Sequence, residues 1–360
     1  MTARSTARPG RFGDPDVSPA TDPRIDRDLR SALALFELDG RAEPAPVDRS
    51  AGLDAITEFV AASDAGFNEL YDIVGAPLPG EPDIKPTLEV IGGVDGNDIN
   101  VWVFRPPETD GPVPGVIYLH GGGMVILRTD APVHIRWCQA LAAAGVVAIL
   151  PDFRNAWTPD GLNPFPAGLN DCASALDWAH ANRDRLGLSS LVVQGESGGG
   201  NLSLATALKA KREGRLDAID GVYACVPYIS GGYGWDEDRR TLELPSTVEN
   251  DGIFLACTMM DLLAAVYTPG GEEENPLAWP YFATVDDLTG LPPHVITVNE
   301  LDPLRDEGIA YFRRLQEAGV PVVGRVNLGL VHGAELIFRQ ALPGAHRSAV
   351  DDIASFARSR

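Results

Sequence analysis

The stretch Leu191-Val192-Val193-Gln194-Gly195-Glu196-Ser197-Gly198-Gly199-Gly200-Asn201 decides the fold. Its first four residues read as a short strand, and a helical pattern starts at Asn201. Between them lies G-x-S-x-G, which places a serine on a sharp strand-to-helix turn. Glycine is needed there for two reasons. The turn forces the serine backbone into strain, and flanking Cβ atoms would hold strand and helix apart. Such a turn lifts Ser197 Oγ clear of a sheet and points the Gly198 N–H toward the same reacting carbon.

Outward from this turn, short β-rich runs alternate with helical patterns. The runs are Leu88–Ile91, Ile99–Phe104, Gly115–Leu119, Val146–Leu150, Leu191–Gln194, Gly221–Val226, Val295–Val298 and Val322–Val326. Helical patterns at Val133–Ala144, Asp171–Arg185, Asn201–Arg212, Arg305–Ala318 and Ala345–Ala357 follow or separate them. Runs such as VIYL and VVAIL are apolar without alternation, as in strands covered on both faces. The fold class is therefore α/β, with a mostly parallel central sheet of about eight strands and helices on both faces. The first two runs lack a helix between them, which suits an antiparallel edge hairpin.

Two stretches depart from this rhythm. Residues 1 to about 28 read as an arm or extended strap, followed by amphipathic patterns at Arg30–Leu38, Ala51–Ala62 and Phe67–Ile73. Residues 227–293 are too long for a simple loop between two core strands and read as an insertion. It is rich in aromatic residues, among them Tyr228, Tyr233, Trp235, Phe254, Tyr267, Trp279, Tyr281 and Phe282. The expected organisation is thus 1–85 as an arm and first part of a cap, 86–226 with 294–360 as the catalytic domain, and 227–293 as the second part of the cap.

A serine hydroxyl is a poor nucleophile until a base takes its proton. With this turn the partners follow in the order acid, then histidine. Asp302 comes directly after the run Val295–Val298, and His332 after Val322–Val326. Both fall at carboxyl ends of strands, the edge where open α/β sheets place their sites. The rivals are less well placed. His346 falls inside the last helical pattern and reads as a surface residue. His294 precedes its strand, and His134 and His180 fall in helical stretches before the serine. Asp306 and Glu307 lie on the helix that follows Asp302, and Glu300 is a weaker third.

The run Gly115–Leu119 ends in His120-Gly121-Gly122-Gly123-Met124. Three glycines after a buried strand let backbone N–H groups turn into a cleft, where such donors stabilise a developing oxyanion. A phosphate loop is excluded, because neither glycine-rich stretch ends in Gly-Lys-Ser/Thr or fits G-x-G-x-x-G. His120 reads as an orienting residue of the loop. The histidines and cysteines lack metal-ligand spacing, so no metal is expected.

With 29 basic against 51 acidic side chains, the net charge of the 360 residues is −22. That balance gives no footprint for nucleic acid and is repelled by anionic membranes. No run of about 18 apolar residues could span a bilayer. The four cysteines are scattered and read as buried thiols in a reducing compartment, and no secretory leader is visible, so the expected location is cytoplasmic.

The motifs HGGGM at 120–124, GESGGGN at 195–201, DPLRDEG at 302–308 and the late His332 together resemble the hormone-sensitive-lipase family of α/β-hydrolases. Asn163-Pro164-Phe165-Pro166-Ala167 adds to the resemblance, which covers about residues 86 to 358. A narrower resemblance, to one bacterial esterase of that family, extends over nearly the whole length. The resemblance implies the α/β-hydrolase fold with a helical cap. It also implies oxyanion donors at Gly121, Gly122 and Gly198. One departure stands near the cleft: Asp152-Phe153-Arg154-Asn155-Ala156-Trp157 replaces the common Tyr-Arg-Leu-Ala-Pro-Glu, which puts ordinary short acyl-ester specificity in doubt.

The expectation is a serine carboxylesterase with Ser197, Asp302 and His332 as its catalytic residues, acting through an acyl-enzyme without cofactor. Its partner is a small-molecule ester or lactone, bulky and apolar, with a macrolactone as the specific expectation. The acidic balance predicts that anionic esters are poor substrates. An amidase shares the machinery. Peptidase relatives carry a propeller that 85 N-terminal residues cannot build, and non-catalytic receptors of the fold lack the histidine kept here. The oligomeric state is not legible.

Overall fold

A computed structural model describes residues 17–81 and 83–360. Most of the expected N-terminal arm lies outside the described residues. Its described part is tied down: the Asp26 N–H donates to the Gly329 carbonyl at 2.9 Å, and Arg24 pairs with both Asp22 and Glu249.

Eight strands form one sheet: β1 (Thr87–Gly92), β2 (Asp98–Phe104), β3 (Val113–Leu119), β4 (Val147–Pro151), β5 (Leu188–Glu196), β6 (Gly221–Cys225), β7 (His294–Asn299) and β8 (Val322–Asn327). Their spatial order is β1-β2-β4-β3-β5-β6-β7-β8. The β1–β2 and β2–β4 pairs are antiparallel, and every pair from β4 onward is parallel. This is the expected α/β-hydrolase architecture with its edge hairpin. The centre of the sheet is dry, and all five residues of β4 are buried. Among the described residues the sheet's outer strand β8 pairs with β7 alone, and four of its six residues are exposed.

Helices cover both faces: α1 (Arg27–Leu35), α2 (Leu53–Gly75), α3 (Pro132–Ala143), α4 (Ala167–Ala181), α5 (Gly198–Arg212), α6 (Cys257–Tyr267), α7 (Arg305–Glu317), α8 (Ala334–Ile337) and α9 (Pro343–Arg358). Two of the expected helical patterns, Ala51–Ala62 and Phe67–Ile73, are one continuous helix, α2. The gap between the two patterns, residues 63–66, includes Gly66, and a mid-helix glycine costs about 1 kcal/mol relative to alanine. The stripe Ile56, Val60, Phe67, Tyr71 and Val74 runs down one face and packs on the core, which outweighs that cost. Gly66 itself faces open space.

The aromatic residues of 227–293 mostly pack on one another. Tyr228 and Tyr233 stack with centroids 4.6 Å apart, and Trp279 sets its edge against Tyr228 and Tyr267. Among the described residues no helix is long and apolar enough to cross a membrane.

Candidate active site

Strand β5 delivers Ser197 into a turn with φ 57° and ψ −119°, a conformation that costs a non-glycine residue energy. Two glycines make the turn possible. A Cβ on Gly195 would stand 2.3 Å from the Gly199 carbonyl oxygen, and one on Gly199 only 1.9 Å from that of Leu119. The turn is held from both sides. The Ser197 N–H donates to the Cys225 carbonyl, and the Tyr228 N–H donates to the Ser197 carbonyl.

Asp302 and His332 come together across 30 residues of chain. His332 Nδ1 lies 2.8 Å from Asp302 Oδ2. A carboxylate only accepts, so Nδ1 carries the proton and Nε2 is left as the basic nitrogen. Asp302 is wholly buried, and its other oxygen accepts the Leu304 N–H at 2.9 Å. Ser197, His332 and the Gly121–Gly123 loop line one cavity of about 50 Å³. The rival acids are engaged elsewhere: Asp306 with Arg305 and Ser246, Glu300 with the Gly329 N–H, and Glu307 with the Ile229 and Ser230 N–H groups and the Tyr233 hydroxyl. His346, expected at the surface, is buried, with Nδ1 against the Glu335 carbonyl.

Sequence reasoning missed three residues. Asn299, at the end of β7, donates through Nδ2 to the Val331 carbonyl at 2.8 Å and to Glu335 Oε2 at 2.9 Å. It therefore holds both ends of the turn that carries His332. Asn250 does the same for the acid, donating to the carbonyls of Glu300 and Asp302 at 3.1 Å. Only a buried amide between two loops reveals this, and no local pattern announces it.

The third is Glu196, beside the nucleophile. Its Oε1 accepts the Gly121 N–H at 2.7 Å and the Tyr118 hydroxyl at 3.0 Å, while Oε2 has no partner among the described residues. Burial pushes this carboxyl up to about 8. The contact corrects one expectation. The Gly121 N–H, expected as an oxyanion donor, is taken by Glu196. The N–H groups of Gly122, Gly123 and Gly198, the last at the start of α5, make no backbone hydrogen bond among the described residues.

His120 orients the loop, as expected. Its Nδ1 faces the Gly121 carbonyl at 2.8 Å, and its ring stacks between Phe153 and His134. Burial pushes its imidazole down to about 4, so it is neutral at ordinary pH. The unusual segment from Asp152 to Trp157 does not line the cavity. It supports the far end of the loop instead, with Asn155 Nδ2 donating to the Leu127 carbonyl at 2.6 Å and the Ala156 N–H to that of Met124.

The cavity roof comes from α2 through Phe67 and Tyr71, and from Phe254, Leu255, Met259, Met260 and Leu263 at and before α6. It is less aromatic than the composition of 227–293 suggests, because Tyr233, Tyr267 and Trp279 are spent on that stretch's own packing. Among the described residues the lining contains no Lys or Arg. Among the described residues no cluster could hold a metal ion.

The fold and the serine turn define a class, and the chain belongs to it: it is a member of the α/β-hydrolase fold family, whose model matches residues 116–336. The similarity is strong with brefeldin A esterase, a solved structure described as a bacterial homologue of human hormone-sensitive lipase. Identity is 56% over 96% of each chain, with a TM-score of 0.94. Esterase Est22 is 37% identical over 95% of this chain and 100% of its own, with a TM-score of 0.83. Carboxylesterase NlhH of Mycobacterium tuberculosis is 32% identical, over 77% of this chain and 85% of that protein. The resemblance to the hormone-sensitive-lipase family, and within it to the bacterial brefeldin A esterase, is thereby shown.

Proposed function

We propose that the protein is a serine carboxylesterase in which Ser197 attacks the ester carbonyl. The observation that carries this reading is the buried His332–Asp302 pair sharing a cavity with a strained serine and three N–H groups that make no backbone hydrogen bond among the described residues. His332 Nε2 takes the Ser197 proton as the Oγ–carbon bond forms. The carbonyl oxygen becomes an oxyanion, received by the N–H groups of Gly122, Gly123 and Gly198. Collapse expels the alkoxide, which takes the proton back from His332, and an acyl-enzyme remains. Water repeats the attack through the same base and frees the acid. Asp302 holds the imidazole tautomer and offsets its transient charge.

In this reading the described residues of 1–85 supply the first part of the cap and 227–293 the second, since α2 and α6 roof the cavity. Its apolar lining suits a neutral, bulky ester or lactone, and the similarity to brefeldin A esterase makes brefeldin A the specific macrolactone. A cavity of about 50 Å³ is well below the size that encloses a macrolactone, so such a substrate is admitted when α2 and α6 part. The four free, buried cysteines fit the reducing cytoplasm.

The test is hydrolysis of a panel of p-nitrophenyl esters, alkyl esters and lactones, brefeldin A among them, by the unaltered protein and by Ser197→Ala. The variant is expected to keep its fold and lose about 10⁶-fold in kcat. Substantial turnover by Ser197→Ala removes the serine from its role, and an untouched lactone removes the macrolactone.

A further inference from the structure

Beyond the reaction cavity lies a second apolar space, a surface groove of about 450 Å³ between α1, the end of α2 and α8. Ala32, Leu35, Val74, Pro77 and Phe338 line it, and Ile337 is shared by both spaces. Two features connect them. One is helix α2, whose single stripe roofs the cavity with Phe67 and Tyr71 and the groove with Val74. These positions lie seven residues, or about 10 Å, apart along the helix. The other is the partition itself, where Ile337 lines both spaces. Ile337 belongs to the short helix that follows His332, and its Cδ1 lies 3.3 Å from the point a Cβ on Gly333 would occupy. Phe338 backs it, with its ring against Phe36 on one side and Phe254 on the other.

We infer that this groove is a distal subsite for the alcohol arm of the substrate, and that Ile337 sets how much of that arm reaches it. The inference rests on the esterase reading above. The direction follows from the chemistry. The departing alkoxide takes its proton from His332, so the alcohol side of the scissile bond faces the His332 turn. Gly333 and Ile337 form the wall on that side, whereas the carbonyl oxygen faces the glycine loop. The occupant is an unbranched or cyclic hydrocarbon chain. Apart from Asp28, Ser31 and Gln340, every residue along the groove is apolar.

The experiment compares kcat/KM for ethyl, hexyl and decyl acetate in the unaltered protein, Ile337→Ala and Ala32→Trp. A second series of p-nitrophenyl esters, acetate to octanoate, varies the acyl side alone. Removing the partition is expected to raise the decyl-to-ethyl ratio at least tenfold. Filling the groove from α1 with Ala32→Trp is expected to lower it at least fivefold. Acyl-series ratios stay within twofold in both variants. Alkyl ratios unmoved in both variants, with turnover intact, overturn the groove alone. A response in the acyl series instead overturns the assignment to the alcohol side. An unaltered protein that hydrolyses no ester takes down the esterase reading and the subsite with it. Because the two substitutions lie on different helices, a folding failure in one leaves the other decisive.

Discussion

The Gly121 N–H donates to Glu196 Oε1 at 2.7 Å, so the residue beside the nucleophile fixes the first glycine of the loop facing it. One side chain thereby couples the serine turn to the glycine loop, with the Tyr118 hydroxyl as a third point of attachment. Replacing Glu196 by Ala is expected to free Gly121 and misplace the donors that follow it. The expected loss is about 10²-fold in kcat, the size of one displaced oxyanion donor. Glu196→Gln keeps an acceptor oxygen and is expected to stay within a few-fold. Steady-state kinetics of the two variants side by side check this.

The same carboxyl makes stability depend on pH. Its ordinary value is 4.5, and burial raises it to about 8 in the folded protein; Glu307 is raised in the same way, to about 8. Between these values the folded state keeps a proton that the unfolded chain has lost. The stabilisation is complete below pH 4.5 and is lost as pH rises through 8, by about 1.4 kcal/mol per unit for each group. Thermal unfolding between pH 6.5 and 8 is expected to show a falling Tm; below that window the buried His120 and His294, each pushed down to about 4, act in the opposite sense. Glu196→Gln should have a shallower slope, and an unchanged slope in that variant removes Glu196 as a source.

Asp302→Asn retains shape while removing the charge that fixes the His332 tautomer. The expected result is a fall of about 10⁴-fold in kcat with little change in KM or Tm. A fall of less than tenfold would mean that another group orients the imidazole.

Asn299→Ala tests the amide that pins the His332 turn. Losing three hydrogen bonds, two to the turn and one from Asn327, each worth about 1 kcal/mol, loosens the turn without touching Ser197 or the cavity roof. The expected signature is about tenfold in kcat with KM unmoved. A change confined to KM contradicts it.

Gly199→Ala is expected to give no folded protein. Its methyl would stand 1.9 Å from the Leu119 carbonyl oxygen, where backbone on both sides prevents relief. Circular dichroism of the expressed variant decides this, and a native spectrum would contradict the account of the turn.

The parts of this molecule legible in sequence are those that local chemistry dictates. The turn at Ser197 needs its glycines within five residues, and the buried β4 needs an unbroken apolar run, so both are written contiguously. Asp302 and His332 were legible because strand ends can be counted. What escaped depends on partners distant in the chain. Asn250 and Asn299 look like any loop asparagines until β7 and the 227–293 stretch are folded around them. The role of Gly121 was misread for the same reason, since nothing local says that Glu196 reaches across from β5 to take its N–H. Helix α2 spans both expected patterns because packing on the core, absent from any short window, outweighs the propensity of Gly66.

The cavity roof and the reacting groups come from different parts of the chain. Phe67, Tyr71, Met259 and Leu263 sit on α2 and α6, which carry none of the residues that attack, protonate or receive charge. Inherited change can therefore accumulate in the roof while bond cleavage is preserved. A lineage built on this plan can acquire a new diet through a few substitutions in two helices, with its chemistry held constant by the sheet.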